Sequence, residues 1–509
     1  MPLLRLLPLL LLACATNPAT DSTPIKPINL TELTIAEIHA AYRAGDYTSE
    51  DLVEAYFARM DSVDEQLNAI TYRNPEALAT ARELDAKFAE TGQLRPLHGI
   101  PLLVKDNINT AGMPTTAGSR ALADFVPESD AFIIERLREA GAILIAKTNM
   151  AEWAFSPMHS ESTTAGTTRN PYNLDHVPAG SSGGTAAAVA ANLATVGLGT
   201  DTGNSIRGPS SHNALVGFRT TLGLISREGI VPLYLRNDVV GPMCRTVEDA
   251  TRVLQSMTGV DPNDPITRYG RGKVADDYNE YLDADGLQGA RVGVLRALSD
   301  DNPDPEITGL FTRALTDLER LGATVVDPVA VPGFAELRQD QWCETFRADV
   351  EAFLTTYVRN DTLATLEDIV RIGTDSDYAR ENLSFSVGKS GRYGDSEVPC
   401  GDAYTDPRRI AFREAIESTM DSLNLDAIVF PSWNHPAARI DRFQEEYRGD
   451  NSQIISPHTG QPGFTVPMGF TEQGLPAGLQ FLGRMYAEPT LIRLTYAFEQ
   501  GTKYRQPPR

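Results

Sequence analysis

Cysteine is scarce in this chain, with 4 in 509 residues, at positions 14, 244, 343 and 400. Spacings that wide form neither a C-x-x-C redox pair nor a zinc ribbon. Beyond Cys14, the remaining Cys244, Cys343 and Cys400 leave room for one disulfide without saying which two join. Histidine is also sparse, with 7 in the chain, and no H-x-x-x-H or comparable pairing occurs, so no catalytic metal is expected. Neither a dinucleotide fingerprint nor a P-loop appears where a strand would lead into it, so no cofactor is expected. Basic residues are outnumbered, 45 Lys and Arg against 68 Asp and Glu, for a formal charge of -23. A surface of that sign repels nucleic acid and anionic membranes as partners. The chain shows no internal repeat and no obvious linker.

Long apolar runs are likewise absent, apart from the amino terminus. There MPLLRLLPLLLLACATN carries one arginine, Arg5, and an apolar run too short to be a comfortable membrane span. It reads as a secretion signal over residues 1–13. LLAC resembles a bacterial lipobox, implying cleavage before Cys14, lipidation of that cysteine and a linker over 14–29. Ala15, in place of Asp, points to the outer membrane, facing the periplasm; a soluble periplasmic protein is the alternative. The membrane is met only through the anchor at Cys14.

Short apolar runs are frequent. AILIA (142–146), ATVGLG (194–199), VGVL (292–295) and AIVF (427–430) read as strands of one mixed sheet. They alternate with amphipathic helical segments such as Thr48 to Asp64, which favours a single large α/β unit. Residues 260–425 are polar, rich in Asp and irregular, and are expected to shape a substrate channel.

The informative stretch is 179–209, AGSSGGTAAAVAANLATVGLGTDTGNSIRGP. It sets serines in glycine-rich backbone, where a packed core wants neither. A serine nucleophile needs a base to take its proton and preorganised donors to hold the oxyanion. Gly199, Gly203 and Asn204 all tolerate left-handed backbone, so GTDTGNS is expected to turn consecutive N–H groups to one side. Ser181 and Ser182, followed by Gly183 and Gly184, open a second tight loop into an Ala-rich helix of roughly ten residues. Lysine acts as a base only when burial keeps it neutral. The run Ile100 to Val104 reads as a buried strand that delivers Lys105 to an interior edge. Asp106 then points to the opposite face. Asp201 and Arg207 read as structural, holding the nucleophile loop by an ion pair or backbone hydrogen bonds.

Four blocks, HGIPLLVKDNI, AGSSGG, GTDTGNSIRGP and TVPMGFTEQGLPAGLQFLGR, together resemble the amidase signature family, over about Leu30 to the carboxyl terminus. The resemblance implies a central twisted mixed sheet covered by helices on both faces. It implies Lys105 as base, Ser181 as a bridging serine held by a cis peptide, and Ser205 as the acylated nucleophile. The backbone N–H groups of Thr202, Gly203, Asn204 and Ser205 would form the oxyanion hole. Members usually carry glycine immediately before the nucleophile; this chain has Asn204, whose side chain is expected to narrow the pocket or donate a hydrogen bond to substrate.

The expected activity is hydrolysis of a linear carboxamide, a small molecule, to acid plus ammonia or amine, with ester or carbamate cleavage open to the same chemistry. Two alternatives are a non-catalytic, lipid-anchored binding protein on the same fold and a glutaminase-type amidotransferase subunit. Oligomeric state is left open, a homodimer included. Gly180–Gly184 also fits G-x-S-x-G with Ser182 central and His212, His435 and His458 downstream, but DHVPA is a poor strand for a nucleophile elbow. Ser386 and Lys389 match S-x-x-K in a stretch without helical periodicity. Trp153, Phe155, Trp342 and Trp433 are candidates for an apolar acyl or aryl pocket, with the core as the more ordinary place for them.

Overall fold

The computed structural model describes residues 28–389 and 400–509. The expected signal peptide and the lipidation at Cys14 fall outside the described residues. Among these, 13 strands occur in chain order: β1 Ile70–Arg73, β2 Pro101–Lys105, β3 Ile143–Thr148, β4 Glu161–Ser162, β5 Gly166–Thr167, β6 Val196–Asp201, β7 Val216–Arg219, β8 Val239–Cys244, β9 Arg291–Val294, β10 Thr324–Val326, β11 Ala427–Pro431, β12 Gly463–Phe470 and β13 Pro476–Leu482. Eleven of them make one sheet in the order β1-β3-β2-β6-β8-β7-β12-β13-β11-β9-β10, and β4 pairs with β5 in a small ribbon. The sheet is mixed. β3, β2 and β6 run parallel, β6, β8, β7, β12, β13 and β11 pair antiparallel, and β9 and β10 rejoin in parallel.

Every residue of β2, β3, β6, β7 and β8 is buried, as strands covered on both faces require, which is why they read as continuous apolar runs and not as alternation. Helices flank the sheet. One of them, Ser49–Leu67, starts at the capping box Thr48/Asp51. The strand runs read from the sequence fall on β2, β3, β6, β9 and β11. Residues 260–425 are less uniform than expected: β9 and β10 from this region complete the edge of the main sheet, and only part of it faces the cleft described below.

The Ala-rich helix spans Gly183–Ala190, and all eight of its residues are buried. A helix apolar all round belongs inside a protein, and its small side chains let it lie directly against the sheet. Gly197 in β6 shows how close: a Cβ there would stand 2.6 Å from Thr185 Cγ2 and 2.9 Å from Val189 Cγ2. The helix stops where Asn192 takes a left-handed φ of 60°. Its start is equally tight, because a Cβ on Gly184 would collide with the backbone carbonyl of Asn149. Gly184→Ala should therefore lower stability by about 1–3 kcal/mol, the usual penalty for overpacking. Thermal unfolding checks this, and an unchanged midpoint would mean the close approach is not a constraint.

Candidate active site

Parallel pairing brings the carboxyl ends of β2 and β6 to the same edge of the sheet, the usual place for a ligand site in an open α/β sheet. Lys105 is the last residue of β2 and is fully buried. Its Nζ donates to Ser181 Oγ at 2.7 Å and to Thr200 Oγ1 at 2.8 Å. Burial drives the ammonium down to about 7, although the Asp201 and Asp238 carboxylates pull the other way. Asp106 does turn to the opposite face, where it meets Lys147 at 3.8 Å. The peptide bond Gly180–Ser181 is cis. Ser182 occupies the N-cap position of the Ala-rich helix without capping it; its Oγ donates to Thr200 O at 3.1 Å and accepts from Thr200 N at 3.3 Å.

The loop after β6 is held from behind. Asp201 is fully buried between Arg207, at 3.1 Å, and Arg219, at 2.8 Å. Burial alone would raise its carboxyl, but the two guanidiniums hold it at about 2. The same groups grip the backbone. Arg219 donates to Asp201 O, Asn237 Nδ2 to Thr202 O at 3.4 Å, Arg207 Nη2 to Gly203 O at 2.6 Å and Gly208 N to Asn204 O at 2.7 Å. In a planar trans peptide the N–H points opposite to the C=O. Fixing the carbonyls of 201–204 rearward therefore turns the N–H groups of Thr202, Gly203, Asn204 and Ser205 forward. Among the described residues none of these four N–H groups has a protein acceptor, an arrangement able to receive developing negative charge.

The expected reason for that geometry is corrected. Neither Gly199, Gly203 nor Asn204 has a positive φ. Gly199 is required by proximity instead, since a Cβ would lie 2.5 Å from Met243 Sδ and 3.0 Å from Ser182 Oγ. Asn204 is corrected too. Its Nδ2 is directed at Asp450 Oδ2, 2.8 Å, and Pro157 O, 3.3 Å, which leaves no amide proton for substrate. Its Oδ1 faces Ser205 Oγ at 3.4 Å. Ser205 Oγ and Ser181 Oγ share no hydrogen bond, so the structure joins Lys105 to Ser181 while Ser205 Oγ turns to Asn204.

Ser205 and residues 202–204 line an open cleft of about 700 Å³. Phe155 and Trp342 reach it, whereas Trp153 and Trp433 are buried away from it. Trp153 and Ala154 are consecutive left-handed residues, φ 54° and 60°, that turn the chain between core and cleft. Another part of the lining comes from the segment 342–389, pinned by a disulfide between Cys343 and Cys400 and by Phe346, which packs on Trp153 and Phe155 at 5.9 and 4.8 Å between ring centroids. No strand precedes Ser182, and no histidine hydrogen-bonds it. Ser386 lies in a helix, Asp377–Val387, contrary to the irregular reading, and Lys389 meets it only through its backbone N–H, at Ser386 O, while its Nζ sits over the Phe385 ring.

The sequence model of the amidase family matches residues 51–492. The chain belongs to the amidase signature family. It is 33% identical over 504 residues to a probable amidase of Arabidopsis thaliana, covering 94% of this chain and 92% of that one. It is 34% identical over 506 residues to one subunit of the glutamyl-tRNA(Gln) amidotransferase of Ralstonia pickettii, covering 94% and 100%. Among solved structures, the native peptide amidase of Stenotrophomonas maltophilia is 37% identical with a TM-score of 0.82, over 94% of this chain and 99% of that one. This amidase signature hydrolase thus shares its mixed sheet with enzymes of the family.

Residues outside the sequence reading also build the amidase site. Thr200 Oγ1 ties Lys105 to Asn107, whose Nδ2 reaches it at 3.1 Å; Thr200 lies inside the GTDTG block and was there to be seen. Arg219, Asn237 and Asp238 come from distant segments, and only Arg219, a cation ending the apolar run VGFR, leaves a trace in the sequence. Removing the charge at the centre of this cluster strands two buried guanidiniums. Asp201→Asn should cost about 3–5 kcal/mol. The folded carboxyl lies near 2, below its ordinary 3.8, so its stabilisation is complete above pH 3.8 and fades as pH falls toward 2. Thermal midpoints from pH 2 to 7 test both points; a variant matching the parent at pH 7 would sink the account.

Proposed function

We propose that the chain hydrolyses a linear carboxamide to a carboxylic acid plus ammonia or amine, through an acyl-enzyme on Ser205. The observation that carries this is the 2.7 Å contact of a fully buried lysine with Ser181, next to an open cleft with Ser205 in its lining. Neutral Lys105 accepts the Ser181 proton as Ser181 takes that of Ser205, once its hydroxyl has rotated from Asn204. The Ser205 oxygen attacks the carbonyl carbon and the forward N–H groups of 202–205 receive the oxyanion. Collapse of the tetrahedral intermediate expels the amine, which takes its proton back through Ser181. Water, activated by the same relay, then attacks the acyl carbon and frees the acid. Esters and carbamates pass through the same type of intermediate. Within this class we favour the terminal amide of a short peptide, supported by the 37% identity to a peptide amidase and by a cleft roomy enough for several residues.

A panel of aliphatic, aryl and peptidyl amides, followed by ammonia release, tests the reading. Ser205→Ala and Lys105→Ala should each lose about a thousandfold or more in kcat, and Ser182→Ala far less. With Lys105 at about 7, kcat/KM should rise with pH through that value, as the amine loses its proton and becomes a base. Full activity in Ser205→Ala would overturn the assignment. Tight ligand binding by both Ser205→Ala and a parent without turnover would favour the non-catalytic binding protein. The glutaminase-type reading stands second, because an export signal would carry the chain away from charged tRNA.

We further propose export to the bacterial cell envelope with a lipid anchor at Cys14, on the strength of the amino-terminal signal and lipobox; a disulfide at Cys343–Cys400 is in keeping with an oxidising compartment. Fractionation of expressing cells should find the parent in membranes and Cys14→Ser in soluble fractions. A Cys14→Ser chain that stays with the membrane argues against the anchor.

A further inference from the structure

Beside the 202–205 loop, where a Cβ built on Gly203 would lie 3.2 Å from the edge of the Trp342 ring, the cleft carries a carboxylate that the mechanism does not use. Glu344 lines the cavity beside Trp342. Its Oε2 accepts from Tyr234 Oη at 2.8 Å and its Oε1 from Phe346 N at 3.1 Å. Both donors are neutral, and no Lys or Arg comes within ion-pairing distance among the described residues, so the negative charge itself stands uncompensated. A carboxylate has about four lone-pair sites, and two bonds leave the rest open to the cleft. The ordinary role, holding the start of the helix Phe346–Phe353, accounts for the Phe346 contact alone.

Two aromatic rings share the cleft with this charge: Tyr234, whose hydroxyl donates to it, and Trp342. Trp342 is 43% exposed although its ring meets His458 at 4.6 Å and Tyr234 at 6.3 Å. An indole left open in a cleft, beside an unpaired carboxylate, suits a cation, which gains from the ring quadrupole and the charge together. The wall is preorganised as well: the Cys343–Cys400 disulfide sits between Trp342 and Glu344, and Phe346 anchors the next turn to Trp153 and Phe155. A neighbouring cavity of about 410 Å³ shares Tyr378 with the cleft and adds Glu161 and Glu445, neither of them ion-paired among the described residues. The one cationic side chain lining the cleft, among the described residues, is Lys389, placed over the Phe385 ring at 4.6 Å.

We propose that Glu344, with the ring faces of Trp342 and Tyr234, forms a subsite for a cationic side chain on the acyl portion of the substrate, an alkylammonium or guanidinium. This specificity rests on the amide-hydrolase reading above and deepens it. Lysine and norleucine carry side chains of similar reach and differ in the terminal charge, so acetyl-lysinamide and acetyl-norleucinamide isolate the effect. The parent protein should prefer the lysine amide by about tenfold or more in kcat/KM, the range for a charge-assisted contact. Glu344→Gln should bring that ratio close to one, and Glu344→Lys should invert it, with thermal midpoints recorded to separate recognition from folding. Added salt should shrink the parent's preference. A parent that turns over both amides without preference, or a ratio that Glu344→Gln and Glu344→Lys leave in place, overturns the subsite and spares the amidase reading. Turnover of no amide at all, here and across the wider panel, overturns both.

Discussion

One carboxylate buried between two guanidiniums sets the geometry of the backbone around Ser205. As a source of stability the Asp201–Arg207–Arg219 cluster is ordinary in kind, since burying three charges costs solvation that their attraction only roughly returns. Apolar side chains of the same volume could fill that space. They could not do what the two arginines also do, which is to take hold of the carbonyls of Asp201 and Gly203. Peptide planarity converts those rearward anchors into forward-facing N–H groups. The ion cluster is thus a device for aiming a loop, and its charge balance is what permits the guanidiniums to be there at all.

The same carboxylate bears on Lys105. Burial lowers its ammonium to about 7, toward the neutral form that a base needs, while Asp201 and Asp238 oppose the shift. If Asp201 lacked its arginines, its full negative charge would favour the ammonium and disarm the lysine. Paired as it is, Asp201 belongs to a cluster of one carboxylate and two guanidiniums, whose positive charges offset its pull on the ammonium. The lysine's short contacts are to two hydroxyls, Ser181 and Thr200, which serve either proton position, with a longer one to Thr200 O at 3.5 Å. Lys105, at the end of β2, and the N–H groups of 202–205, in the loop after β6, are therefore coupled through one ion cluster.

Much of this was legible in the sequence, for a physical reason. The strands over 101–105, 143–148 and 196–201 are buried on both faces, so they appear as uninterrupted apolar runs, and the motifs at their carboxyl ends are local in sequence. Lys105, Ser181 and Ser205 could be named from these blocks. What could not be read was how the loop is held. Glycine suggested unusual dihedrals, yet Gly199 is there because Met243 and Ser182 crowd it, a constraint set by segments remote in the chain. Asn204 looked like a donor to substrate, and only Asp450, 246 residues away, shows that its protons are spent. The partners Arg219, Asn237 and Asp238 were missed for the same reason.

The cleft wall was the least legible part because it obeys no period. Residues 342–389 contribute Trp342, Glu344, Tyr378 and Phe385 from a turn and a helix that join the scaffold through a small satellite core, where Phe346 and Leu366 pack against Trp153 and Phe155. A satellite core of that kind needs to keep only its buried face. Its cleft-facing residues pack less completely: Trp342 and Tyr378 keep ring contacts to His458 and His159, and Phe385 stands 54% exposed. The two sides of the cleft are therefore under different physical constraints: the side with Lys105, Ser181 and Ser205 is fixed by the sheet and a buried ion cluster, and the side from 342–389 is held through Cys343 and Phe346.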